Sequence, residues 1–283
     1  MKPSGKRSKR DKAEVKKRLE TVVPKTTGEK FERLKEIVAL LRTDCAWDRK
    51  QTPDSLVHLT LEEVYEMIHA VDSRDEDELK KELGDILLHI CFQSVLAAER
   101  KAFTIDDVLD AIATKLIFRH PHVFGQDVAK DESAVKANWE KLKMKEGRKS
   151  VLDGVPRAMP ELLRAYRVQE KAAGVGFDWK TDEGVWEKLN EELSELRRAK
   201  TPKAREEELG DVLFTLVNLS RFLKVNPEDA LRKMTEKFTR RFQAVEALVQ
   251  KSGKLWSDFT VEELDEFWEK AKRQENARQR KGV

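Results

Sequence analysis

Apolar residues recur every three or four positions along most of this chain. Phe31, Leu34, Ile37, Val38 and Leu41 make the first clear stripe, which has the period of an amphipathic helix and not of a strand. The polar stretch CAWDRKQTPDS follows and reads as a loop around Pro53. The stripe resumes with Leu61, Val64, Tyr65, Ile68 and Val71, and Thr60 and Glu63 stand in capping-box spacing at its start. Further helices are predicted over 75–100 and, capped by Thr104, over 104–119, where HPHVFG ends the pattern. Residues 126–158 are charged and weakly periodic, and read as a linker with a short helix near 134–145. Helical pattern returns over 159–171, breaks at GVGFDW, and continues over 182–199, 203–223, 227–250 and 261–276. Asn226 before Pro227 is an N-cap with Pro at the first helical position. The expected fold class is therefore all-α: two tandem helical-bundle modules, at 29–125 and 159–276, joined by the charged linker.

Composition agrees with long helices. Gly and Pro together number 20 and charged residues make up 39% of the 283, so breakers are scarce and helix formers abundant. Net charge is +3, too close to balance for bulk attraction to nucleic acid or an anionic membrane. The basic N-terminus, MKPSGKRSKRDKAEVKKR, is expected to be part of a solvated, disordered tail over 1–28, with a nucleic-acid arm as the minor alternative. No apolar run is long enough to span a bilayer, and no secretory h-region opens the chain. Cys45 and Cys91 lie outside any metal spacing and are expected to be reduced, Cys91 in the core. A cytoplasmic protein is expected.

The two halves repeat one arrangement. EEVYEM at 62–67 matches EELSEL at 191–196, and ELGDILL at 82–88 matches ELGDVLF at 208–214. The blocks are 16 residues apart in the first copy (Glu66 to Glu82) and 13 in the second (Glu195 to Glu208), a difference of about one helical turn. Lys115 and Arg119 stand four apart after the first pair of blocks, and Lys237 and Arg241 after the second.

These residues suggest a chemistry. Glu62, Glu63 and Glu66 crowd one helix face, and Glu82 and Asp85 do the same on the next helix. Short connections make sequential helices neighbours, so the carboxylates should converge, flanked by Leu83, Ile86, Leu87 and Ile90 in a buried setting. Like charges there repel unless a hard cation binds them, and oxygen-only ligands suit Mg²⁺ or Mn²⁺. Gly84 and Gly210 inside helices would let a helix or ligand come close. Lys115/Arg119 and Lys237/Arg241 would supply positive charge for phosphate oxygens. No GxxxxGK[ST] loop occurs, so phosphates would be held by metal and side chains.

EExxE, then ELGD, then KxxxR resembles the MazG nucleoside triphosphate pyrophosphohydrolases, all-α NTP pyrophosphatases, with LLRTDCAWDRKQTPDSL, KLIFRHPHVFG, GVGFDW and EKFTRRFQAVE extending the likeness over about residues 30–270. Ala46 replaces a usual Pro and His69 a usual acid. The resemblance implies Mg²⁺-dependent conversion of an NTP or dNTP to a monophosphate and pyrophosphate, by water attack at the α-phosphate. It implies that Glu192, Glu195, Glu208 and Asp211 bind the metal, that Glu191 orients or deprotonates the water, and that Lys188, Lys237 and Arg241 contact phosphates. Trp268 matches a position near the nucleotide. In the first module Glu62, Glu63, Glu66, Glu82, Asp85, Lys115 and Arg119 correspond. It further implies a homodimer with helices of two chains covering each site. Two other readings are a non-catalytic helical scaffold and a di-iron carboxylate bundle built on Glu66-x-x-His69.

Overall fold

The computed structural model describes residues 9–125 and 150–281, with side chains over 13–125 and 150–277. The described residues are helical, with no strand among them. The chain divides into two compact units, Met1–Asp127 and Val128–Val283. Most of the expected linker, including its helix near 134–145, lies outside the described residues.

The first unit contains α1 (Lys9–Thr21), α2 (Thr27–Asp44), α3 (Val57–Ser73), α4 (Glu76–Glu99), α5 (Ile105–Arg119) and the short α6 (Pro121–Phe124). Thr26 and Glu29 cap α2 reciprocally, Asp75 caps α4, and Thr104 with Asp107 caps α5. Arg74 takes a left-handed conformation (φ 57°) between α3 and α4. That single turn folds the two helices side by side, and they form the main contact of this unit. Val38, Leu56, Cys91, Phe92 and Leu96 make its core, with Phe31, Leu34, Leu59, Leu88 and Val95 packed around them. Burial pushes the Cys91 thiol above its ordinary range.

Three expectations are corrected here. Part of the supposed disordered tail is α1. Its Leu19 is buried, Arg18 pairs with Glu36, Lys16 pairs with Asp44 at 2.8 Å, and Arg33 donates to the Leu19 carbonyl at 2.5 Å. One apolar anchor and these partners on α2 suffice to order a basic segment that composition alone reads as solvated. Thr60 does not cap α3. A 3-10 turn at Asp54–Leu56 runs straight into the helix, so Thr60 sits inside it and donates its hydroxyl proton back to the Leu56 carbonyl at 2.8 Å. Leu83, Leu87 and Ile90 are exposed rather than buried, because α4 turns Glu82, His89, Phe92 and Leu96 inward instead.

The second unit contains α7 (Glu161–Ala173), α8 (Glu183–Arg198), α9 (Pro202–Phe222), α10 (Pro227–Ser252) and α11 (Val261–Lys281). Asn226 caps α10 through bonds from the Glu228 and Asp229 amides, with Pro227 at the first helical position. Two cores hold this unit. Val185, Leu189, Val212 and Leu219 join α8 to α9; Val245, Val249 and Ala271 join α10 to α11. In the GVGFDW segment Gly176 has φ 91°, and Asp178 pairs with Arg221 of α9 at 2.6 Å. Among the described residues no helix is long and apolar enough to cross a membrane.

Candidate metal centres

Each helix pair brings carboxylates together. Glu63 and Glu66 lie one turn apart on α3 and meet Glu82 of α4, with one oxygen from each within 4.8 Å of the others. Glu192 of α8 meets Glu208 and Asp211 of α9 under the same limit. The two triads are not copies of one another. The first takes two acids from its leading helix, the second takes two from its trailing helix. Asp85 and Glu195, one turn beyond Glu82 and Glu192, stand outside these tight groups.

The electrostatics of both groups suit a cation. Glu82 is only 4% exposed, and its Oε2 has no hydrogen-bond partner. A buried acceptor in that state is destabilising unless something electropositive meets it. Burial, followed by the charge of Glu66, pushes the Glu82 carboxyl up to about 7. Glu208 is also raised, chiefly by burial and then by Glu195, Glu192 and Asp211, so Glu195 acts on the triad although it lies outside it. The donors are all oxygens, which is what Mg²⁺ or Mn²⁺ prefers.

This arrangement carries a stability prediction. A carboxyl with a folded pKa of about 7 against about 4.5 unfolded holds more protons folded than unfolded between those values. Its contribution to stability is therefore favourable at low pH and is lost as pH rises through that window. Metal-free protein should melt at a lower temperature at pH 7.5 than at pH 5.5, Glu82→Gln should flatten that slope, and excess Mg²⁺ should restore the loss. Identical melting at pH 7.5 with and without either Mg²⁺ or Mn²⁺ would remove the first triad as a cation site.

The remaining candidates are placed unevenly. Lys188 sits on the second triad, donating to Glu192 Oε1 at 2.8 Å and Glu191 Oε1 at 2.9 Å. These bonds, Glu192 first, raise its pKa, so the ammonium stays charged. Glu191 and Glu62 are exposed beside the triads. Lys115 is exposed and Arg119 half-buried on α5, and Lys237 is half-buried on α10. Arg241 is 7% exposed. Its guanidinium bonds Glu275 Oε2 of α11 at 2.6 Å and lies 5.9 Å from the Trp268 ring centre. Burial raises the Glu275 carboxyl, but the bonds from Arg241 and Arg240 outweigh this and hold it below its usual range. Trp268 also packs against Phe238, 5.1 Å between ring centres. Arg241, Trp268 and Glu275 thus form one group at the α10–α11 pairing, with Glu275 unforeseen from sequence because its partner lies 34 residues away.

The histidine near the first triad is His89, not His69. His69 is exposed on α3 and is not in the group that Glu63, Glu66 and Glu82 form, which disfavours the Glu66-x-x-His69 pairing of the di-iron reading. His89 is buried on α4, and its Nε2 lies 3.9 Å from Glu63 Oε1. Seven residues, two helical turns, separate it from Glu82, a signal that was present in the sequence.

Comparison with known proteins agrees with the repeat. The model of the MazG nucleotide pyrophosphohydrolase domain matches residues 51–124 and again 180–245. A Thermotoga maritima protein named nucleoside triphosphate pyrophosphohydrolase/pyrophosphatase MazG is 49% identical over 253 residues, covering 88% of this chain and 98% of that relative. The nucleoside triphosphate pyrophosphohydrolase of Escherichia coli K12 is 41% identical over 257 residues, covering 87% and 98%. With two matching domains and a near full-length relative at this identity, the chain belongs to the MazG nucleotide pyrophosphohydrolase family.

Proposed function

We propose that this protein is a nucleoside triphosphate pyrophosphohydrolase, which cleaves NTPs or dNTPs to monophosphate and pyrophosphate at its second module with Mg²⁺ as cofactor and Mn²⁺ as a substitute. The observation that carries this reading is Lys188 bonded to both Glu191 and Glu192 at the edge of a carboxylate triad. That set combines a cation-binding group, a permanent positive charge and an exposed carboxylate within a few ångströms. The first module has Leu59 at the position aligned with Lys188, which favours the second as the working site.

Glu192, Glu208 and Asp211 would hold Mg²⁺, with Glu195 adding negative charge beside them. When bound, the ion supplies Lewis-acid stabilisation of charge on the phosphate oxygens. Glu191, with its side chain about half exposed, would orient a water and accept its proton as the water attacks the α-phosphorus. The bond to the bridging oxygen breaks and pyrophosphate leaves. Lys188 offers its charge to the same phosphate chain, and Lys237 and Arg241 would contact it from α10. Trp268, beside Arg241, would face the nucleoside.

The working form is proposed to be a homodimer. Leu83, Leu87 and Ile90 of α4 and Leu209, Leu213 and Leu216 of α9 are exposed apolar side chains. A Cβ built on Gly84 or Gly210, in the same two stretches, meets nothing within 4 Å, so space stands open for another helix. A second copy of this chain would cover these faces. The free thiols Cys45 and Cys91 accord with a cytoplasmic setting.

The test is a panel of NTPs and dNTPs with Mg²⁺, scoring pyrophosphate against orthophosphate. Pyrophosphate and monophosphate in equal amounts are expected; orthophosphate as the first product overturns the bond assignment. Size-exclusion chromatography with light scattering should give twice the 32.8 kDa chain mass, and a monomer at working concentration refutes the dimer.

A further inference from the structure

Proton counting fixes how His89 presents itself to the first triad. Thr60 has one hydroxyl proton and donates it to the Leu56 carbonyl at 2.8 Å. Toward His89 Nδ1, at 3.1 Å, the Thr60 oxygen is then an acceptor, so Nδ1 carries the ring proton. On the neutral ring with this tautomer, Nε2 is the acceptor nitrogen. It lies 3.9 Å from Glu63 Oε1, too far for a hydrogen bond. His89 is itself only 9% exposed, so its Nε2 faces Glu63 from a buried position. Beside them the buried Oε2 of Glu82 lacks a partner. Two ligands 3.9 Å apart fall within the roughly 4.2 Å span of two metal–ligand bonds of about 2.1 Å each.

The second module is built differently at the aligned positions. Thr215 stands where the first has His89, Leu189 where it has Thr60, and Lys188 where it has Leu59. Glu192 there receives a lysine ammonium at 2.8 Å, where Glu63 faces an imidazole nitrogen at 3.9 Å. One site is all-oxygen with a fixed positive charge at its edge; the other offers nitrogen.

We propose that the first module is a mixed nitrogen–oxygen site, in which Glu63, Glu66, Glu82 and His89 bind a transition-metal ion of the Mn²⁺ to Zn²⁺ series in preference to Mg²⁺. Imidazole suits these ions, whereas Mg²⁺ keeps to oxygen. The hydrogen bond from Nδ1 to Thr60, relayed to the Leu56 carbonyl, is the outer support that metal-binding histidines need to hold one tautomer and ring orientation. The two modules would then carry different metals in one chain. This inference rests on the triads being cation sites, as the proposed function requires, but it assigns a ligand and a selectivity that reading lacks.

The experiment uses the metal-free, full-length protein titrated with Mn²⁺ and examined by electron spin-echo envelope modulation, which detects nitrogen bound to the ion. One of two bound Mn²⁺ ions should show coupling to a single imidazole nitrogen. His89→Gln, which keeps a side chain able to bond Thr60, should erase that coupling and weaken Co²⁺ binding at this site on the order of 10- to 100-fold, with the second triad unchanged. Thr60→Val should retain the coupling and weaken Co²⁺ by on the order of tenfold. The wild-type measurement needs no variant, so a misfolded mutant leaves it standing. Two bound Mn²⁺ ions without nitrogen coupling would overturn the His89 ligand alone. Absence of Mn²⁺ and Co²⁺ binding anywhere in the chain would overturn this site and the proposed metal-dependent function together.

Discussion

Glu192→Gln is expected to lower NTP turnover by at least about a hundredfold while the fold stays intact. Glu192 is only 5% exposed, belongs to the second triad and accepts the Lys188 ammonium. Glutamine keeps its volume and one acceptor oxygen but removes the charge that would hold the cation. Metal-ion stabilisation of a developing phosphate charge is worth several kcal/mol, and each 1.36 kcal/mol is a factor of ten in rate. Metal-free protein should lose no stability, because removing one carboxylate relieves repulsion on Glu208. The paired control is Glu63→Gln. If the second module works alone, this change leaves turnover within about twofold. Full turnover in Glu192→Gln would favour the non-catalytic scaffold reading, and an equal loss in Glu63→Gln would move the chemistry to both modules.

The second large effect is structural. Leu56→Ala should destabilise the first unit by about 2–5 kcal/mol, the range for deleting a buried leucine side chain. Leu56 is 2% exposed and packs with Val38, Cys91, Phe92 and Leu96. It also ends the 3-10 turn that starts α3, so little backbone slack is available to close the cavity. For a unit of this size such a loss lowers the melting temperature by on the order of 10–20 °C. Scanning calorimetry should show the shift in one transition, with the transition of the second unit unmoved. A loss under about 1 kcal/mol would mean that the site collapses around the smaller side chain. The substitution keeps the Leu56 carbonyl that accepts from Thr60, so folded mutant protein should retain the His89 arrangement.

The helices were legible because local rules set them. Apolar spacing, the Thr104 and Asn226 caps, and Pro227 all act within a few residues, and the structure uses them where they stand. The Thr60 reading failed because a capping box is also just Thr and Glu one turn apart. The Asp54–Leu56 turn upstream decided where the helix began. The Lys9–Thr21 helix was missed for the opposite reason. Its order comes from Glu36, Asp44 and the Leu19 contact on another helix, and no local rule reads those from a basic string.

By itself the sequence determined that the chain is all-α, that it carries one arrangement twice, and that each copy places acidic pairs one turn apart on consecutive helices. These follow from helical periodicity, which is a property of neighbours along the chain. Only the tertiary structure decided which three acids of each set come within reach of one ion, that Arg241 meets Glu275, that Leu83 and Leu87 face outward, and that a histidine two turns from Glu82 turns its Nε2 toward Glu63. Those outcomes depend on the rotation of one helix about its axis against the next. That angle is set by the packing of whole cores, and no short stretch of residues encodes it.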